Sequence, residues 1–134
     1  MPSPDPSEAR PFVLVARLFA VAATVVIVVL FGTAGRLVAA HQLEDVHGAA
    51  AIALHVVLGG LLVGLAGLAY ARRRGWWTAA LAGIAFVYSF VQAALGEGAT
   101  LAIHILGSLI IVVSTIWLTA WLFSASPVGT GPAD

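Results

Sequence analysis

Apolar residues run almost unbroken from Phe12 to Phe123, and the polar positions that interrupt them gather around 39–45, 72–75 and 96–98. This pattern predicts four helices, over about 12–38, 46–71, 76–95 and 99–123, each long enough to cross the hydrocarbon core of a bilayer. Short connections favour antiparallel neighbours, so the expected fold is all-α: an integral membrane up-down-up-down four-helix bundle. The flanking stretches 1–11 and 124–134, rich in Pro, Ser and Gly, read as disordered tails. The first apolar run is long for a signal-peptide core and three more follow it, so it is read as part of the bundle.

The polar positions add detail. Arg17 and Arg36, near the two ends of the first span, can snorkel to opposite interfaces. Asp45 is a candidate cap for the second helix, with Glu44 beside its positive end. Within that helix Gly60 and Gly64 form a GxxxG that admits a neighbouring backbone or a flat ligand. Tyr88 and Gln92, four apart on the third span, share a face.

Composition agrees with a membrane protein: 61% of residues are hydrophobic and 9% charged, and the mean hydropathy is +1.06. Net charge is zero, and the one basic cluster, Arg72 to Arg74, is a short connection, so nucleic acid is not an expected partner. The lipid bilayer is. The absence of cysteine excludes disulfides, iron–sulfur clusters, thiolate zinc sites and covalently attached c-type haem. All six basic residues are arginine, which with the Ala, Val, Leu and Gly bias suggests a GC-rich bacterial genome and hence a bacterial cell membrane.

Arg10, Arg17 and Arg72 to Arg74 belong to one side of the bundle, and Glu44, Asp45 and Glu97 to the other. The positive-inside rule therefore places both termini in the cytoplasm. Tyr70, Trp76, Trp77, Trp117 and Trp121 fall at the same ends of their helices as the arginines, as an interfacial belt would.

The candidate chemistry lies at the opposite end. Helices two and four run in the same direction, and both begin with histidine: His47 and, deeper, His55 on the second, His104 on the fourth. Ionisable groups in a membrane helix are functional candidates by default. In an up-down-up-down bundle these helices are diagonal and can present imidazoles to a common axial cavity, where a planar macrocycle fits as a bis-histidine haem. Which residue of helix two pairs with His104 is open. Depth counted from the outer turns places His104 midway between His47 and His55, whereas depth counted from the inner aromatics favours His55. A faint repeat, HVVLGGLLVG from His55 against HILGSLIIV from His104, also favours His55. His55 has another use, as a hydrogen-bond partner of Tyr88 or Gln92; His41 reads as an interfacial histidine.

Glu44-x-x-His47 at the start of helix two, Gln92-Ala-Ala-Leu-Gly96 closing helix three and Ala99-Thr-Leu-Ala-Ile-His104 opening helix four resemble one four-helix half of the haem A synthase family. The resemblance spans about residues 12–123. It implies a bundle binding haem b through His47 and His104, with Glu44 in the place of that family's extracytoplasmic glutamate. The chain is also similar to small uncharacterised actinobacterial four-helix membrane proteins with the same histidine layout. It departs from the synthases in having four spans rather than eight, Gly48 where an arginine usually follows the histidine, and no cysteine pair in the outer loop. The expected function is thus electron transfer or haem handling, with a homodimer or a membrane redox partner completing the unit. The competing class is a cofactor-free accessory protein whose histidines form interhelical hydrogen bonds; a transporter is a weaker third.

Overall fold

The computed structural model describes residues 6–96 and 98–124. Among them are four α-helices, α1 (Pro6–Ala40), α2 (Glu44–Arg72), α3 (Trp76–Ala94) and α4 (Leu101–Ser124), with a 3-10 turn (Gly98–Thr100) leading into α4. All four are long and apolar enough to cross a membrane. Of the expected tails, residues 1–5 and 125–134 lie outside the described residues, as does Glu97.

The helix ends correct two expectations. Residues 6–11 are helical: α1 begins at Pro6, because proline suits the first helical position and Glu8 sits in the positively polarised first turn. Pro11 lies inside the helix at the cost of one backbone bond. Asp45 does not cap α2. The Gln42 amide donates back to Arg36 O (3.4 Å) and that of His41 to Leu37 O (3.0 Å), closing α1 with His41 left-handed at φ 51. The chain then turns straight into α2 through Leu43, also left-handed, which caps with no side-chain bond and leaves Glu44 and Asp45 inside the first turn.

The second connection is equally tight. Arg74 donates to Ala69 O and left-handed Arg73 to Tyr70 O, both at 3.2 Å, and Gly75, at φ 82, starts α3. Each helix packs against its sequence neighbours and α4 closes against α1, while the diagonal pairs make no backbone contact among the described residues. Late α1 meets early α2 (Thr33 with His47), late α3 meets early α4 (Gln92 with His104), and early α1 meets late α4 (Arg17 with Leu122). Neighbours are therefore antiparallel.

The tightest seam, between α1 and α2, is made by small residues. Ala16, Ala20 and Ala23 are fully buried. A Cβ on Gly64 would lie 2.8 Å from the Ala16 backbone nitrogen, so the expected GxxxG does admit a neighbouring backbone, with the Phe19 and Phe12 rings lying over Gly60 and Gly67 on either side. Leu58, Leu61, Leu65 and Leu118 fill the centre.

Bulk is instead concentrated on the outside: Leu14, Leu18, Val25, Val28, Ile52, Val56, Val63, Ile84, Val87, Leu106 and Val113 are all more than half exposed. In water each would forgo roughly 1.5–3 kcal/mol of burial, together more than the roughly 5–15 kcal/mol that stabilises a typical domain. A hydrocarbon solvent removes that penalty.

Candidate functional site

The antiparallel packing sorts polar groups to the two ends of the bundle. The end formed by early α1, late α2, early α3 and late α4 carries Arg10, Arg17, Arg72 to Arg74, Tyr70 and all four tryptophans. Arg17 is tied to α4: its Nε and Nη2 donate to Leu122 O at 3.2 and 3.0 Å, satisfying a carbonyl in the last turn of that helix, and its guanidinium lies 5.0 Å from the Phe123 ring centre. The opposite end carries the histidines.

There, His47 and His104 occupy equivalent positions. Counting three, seven, eleven, fourteen and eighteen residues on from His47 gives Ala50, Leu54, Leu58, Leu61 and Leu65, all buried. The same counts from His104 give Gly107, Ile111, Thr115, Leu118 and Leu122, also all buried. Each histidine thus heads the core-facing stripe of its helix, and both face the bundle axis from diagonal helices. His55 departs from this stripe and lies on the α2–α3 seam.

Each of the three rings is held through Nδ1. His104 Nδ1 is 2.7 Å from the backbone oxygen of Gln92; a carbonyl only accepts, so Nδ1 carries the proton. His47 Nδ1 is 2.9 Å from Thr33 Oγ1, which also lies 2.9 Å from Val29 O and 3.1 Å from Leu30 O; with the hydroxyl proton on one of those carbonyls, His47 Nδ1 is the donor. His55 Nδ1 is 2.7 Å from Ser89 Oγ, which lies 2.6 Å from Phe86 O, and Nδ1 is the donor when the hydroxyl proton goes to that carbonyl. The expected bond from His55 to Tyr88 or Gln92 is therefore replaced by one to Ser89. None of the three Nε2 atoms has a partner among the described residues, and none is buried. With Nδ1 protonated, neutral imidazole presents its lone pair at Nε2, the arrangement that outer-shell acceptors impose on metal-ligating histidine.

The two axial rings are braced alike, each by the preceding helix of its own hairpin: His47 by α1 and His104 by α3. Gln92 is 3% exposed, and neither of its side-chain amide atoms has a partner among the described residues. It and the Tyr88 hydroxyl both press into the notch left by Gly107, the hydroxyl 2.6 Å from where a Cβ would sit. The shared face of Tyr88 and Gln92 thus serves the α3–α4 contact. His41 and Glu44 are exposed at the bundle end, and Gly48 has open space around it.

Two surface cavities, of about 320 and 250 Å³, flank α4. Neither is lined by a histidine. The shared register of His47 and His104 is visible in the sequence only as the matched spacing of the positions behind them, which counting from helix ends does not detect. Compared with protein-family models, curated proteins and solved structures, the chain matches none.

Proposed function

We propose that the chain is a multi-pass protein of the bacterial cell membrane with both termini in the cytoplasm, and that its histidine end binds haem b through Nε2 of His47 and His104. The observation that carries this reading is the matched register of the two histidines on diagonal helices, each with Nδ1 committed and Nε2 open. The donor set fits: two neutral imidazoles on one axis are a standard axial pair for haem iron. The absence of backbone contact between α2 and α4 leaves the space between them to side chains. The likeness of the Glu44–His47 and Ala99–His104 segments to one half of a haem A synthase supports the same pair.

Bound there, haem would supply one-electron exchange, which suits electron transfer or haem handling. The chain's own residues orient and shield. Thr33 Oγ1 and Gln92 O fix the ring planes and keep the proton on Nδ1, while Leu54 and Ile111, two turns along each stripe, keep water from the axis. A cofactor-free accessory protein is the second reading, favoured by the fact that the three histidines between them tie α2 to α1, α2 to α3 and α4 to α3.

The test is an absorption spectrum of the detergent-purified full chain, as isolated and after haemin is supplied, oxidised and dithionite-reduced. A Soret band with sharp reduced bands, lost in His47→Ala and His104→Ala and retained in His55→Ala, is the expected result. A protein that stays colourless with haemin overturns the haem reading in favour of the accessory protein.

A further inference from the structure

The end of the bundle opposite the histidines is strongly cationic. Arg10, Arg17, Arg72, Arg73 and Arg74 gather there, and among the described residues Glu8 is the one carboxylate at that end. Arg17 is engaged on Leu122 O. The other four guanidiniums have no acidic partner among the described residues, and Arg10, Arg73 and Arg74 are exposed. Uncompensated like charges held close together favour an anion from outside the chain.

The backbone holds these charges in place. Arg72 ends α2, the Arg73 and Arg74 amides donate back to Tyr70 O and Ala69 O, and Gly75 turns the chain into α3, so the triplet leaves a closed turn. Arg73 is left-handed (φ 53, ψ 25), at the position after a helix where glycine is the default. Exchanging it for glycine therefore removes a guanidinium without straining the turn. The fourth charge comes from α1: Phe12 lies over Gly67, Ala16 against Gly64 and Phe19 over Gly60, and the same antiparallel register continued by a turn sets Arg10 level with Tyr70, two residues before Arg72.

Aromatic rings set the depth. Tyr70, Trp76 and Trp117 are each more than half exposed, and Trp77 meets Trp121 edge-on at 5.5 Å between α3 and α4. Exposed indole and phenol rings at one end of a bundle belong at the boundary between acyl chains and headgroups, where the anion within reach is a lipid phosphate. Resting on the membrane-spanning part of the reading above and not on haem, we propose that Arg10 and Arg72 to Arg74 bind the headgroup of an anionic phospholipid, its acyl chains running past the exposed rings of Tyr70 and Trp76. The planar guanidinium matches two phosphate oxygens at once. The site selects net charge: a phosphatidylcholine carries the same phosphodiester but neutralises it with its own quaternary ammonium.

Every tryptophan of the chain lies at this end, so tryptophan fluorescence reports on it alone. The full chain is reconstituted in vesicles of phosphatidylcholine with a graded fraction of phosphatidylglycerol, one lipid or the other brominated in its acyl chains, and the quenching gives the relative affinity of the two lipids. A preference for phosphatidylglycerol of roughly fivefold or more is expected, the selectivity of one arginine near the membrane surface. Arg73→Gly should lower it, the combined Arg72→Gln, Arg73→Gly and Arg74→Gln should remove it, and Arg36→Gln, which takes one arginine from the opposite end, should leave it unchanged. Equal quenching by the two lipids, or a preference that survives the triple replacement, overturns the headgroup site and leaves the membrane reading standing. A preference abolished by inorganic phosphate but not by chloride at equal ionic strength makes the occupant free phosphate and overturns the lipid. Quenching by neither brominated lipid overturns the membrane reading and the site with it.

Discussion

Replacing Gly64 with alanine tests the packing that holds the bundle together. The added Cβ would lie 2.8 Å from Ala16 N, 2.9 Å from Ala16 Cα and 3.1 Å from Ala16 Cβ. These are main-chain and Cβ atoms that cannot rotate away, so α1 must move off α2 and take Phe12, Phe19 and Ala20 with it. Overpacking of this kind costs about 1–3 kcal/mol. Alanine also gains about 1 kcal/mol over glycine in helix propensity, which obscures the steric cost in a single variant. Gly48 provides the control: it lies in the same helix with nothing within 4 Å of the methyl group that alanine would add, so Gly48→Ala takes the propensity gain alone. The difference in unfolding free energy between the two variants, measured by SDS titration in mixed micelles with circular dichroism, is expected to be about 1–3 kcal/mol in favour of Gly48→Ala. Equal stabilities, or a more stable Gly64→Ala, would refute the close α1–α2 contact.

Removing the Arg17 fork by Arg17→Met frees Leu122 O; hydrogen exchange over 119–124 should speed up, and the loss should be about 1–3 kcal/mol, with unchanged exchange there counting against the cap. Thr33→Val removes the acceptor for His47 Nδ1 and should lower haemin affinity about 10- to 100-fold without changing helicity, since outer-shell partners are typically worth that much to a metal site; unchanged affinity would mean that His47 does not ligate. Gln92→Leu deletes a buried amide with no partner among the described residues and should be neutral or stabilising in SDS titration, whereas a loss above about 1 kcal/mol would show that the amide is hydrogen-bonded in the folded protein.

The four helices were legible because apolar runs of membrane length and short polar breaks leave little choice of element. Their ends were less so: the Pro- and Ser-rich composition of 6–11 suggested a tail, yet proline is well suited to the first position of a helix. Sidedness within each helix was hidden for a different reason. In a chain this apolar, hydrophobicity does not separate outward-facing from core-facing positions, and the contrast that does is size, with Ala16, Ala20, Ala23 and Gly64 inside and Val25, Val28, Val56 and Val63 outside. The shared register of His47 and His104 on their helices follows the same contrast. The contact of Arg17 with Leu122 spans 105 positions and no local pattern announces it.

The most direct measurement of the central claim is the electron paramagnetic resonance spectrum of the oxidised, haemin-loaded chain beside its single histidine variants. A low-spin ferric signal typical of two axial imidazoles, converted to high spin by His47→Ala and by His104→Ala but kept in His55→Ala, is the expected result. A high-spin wild type, or a low-spin signal that survives His47→Ala and disappears in His55→Ala, would contradict it.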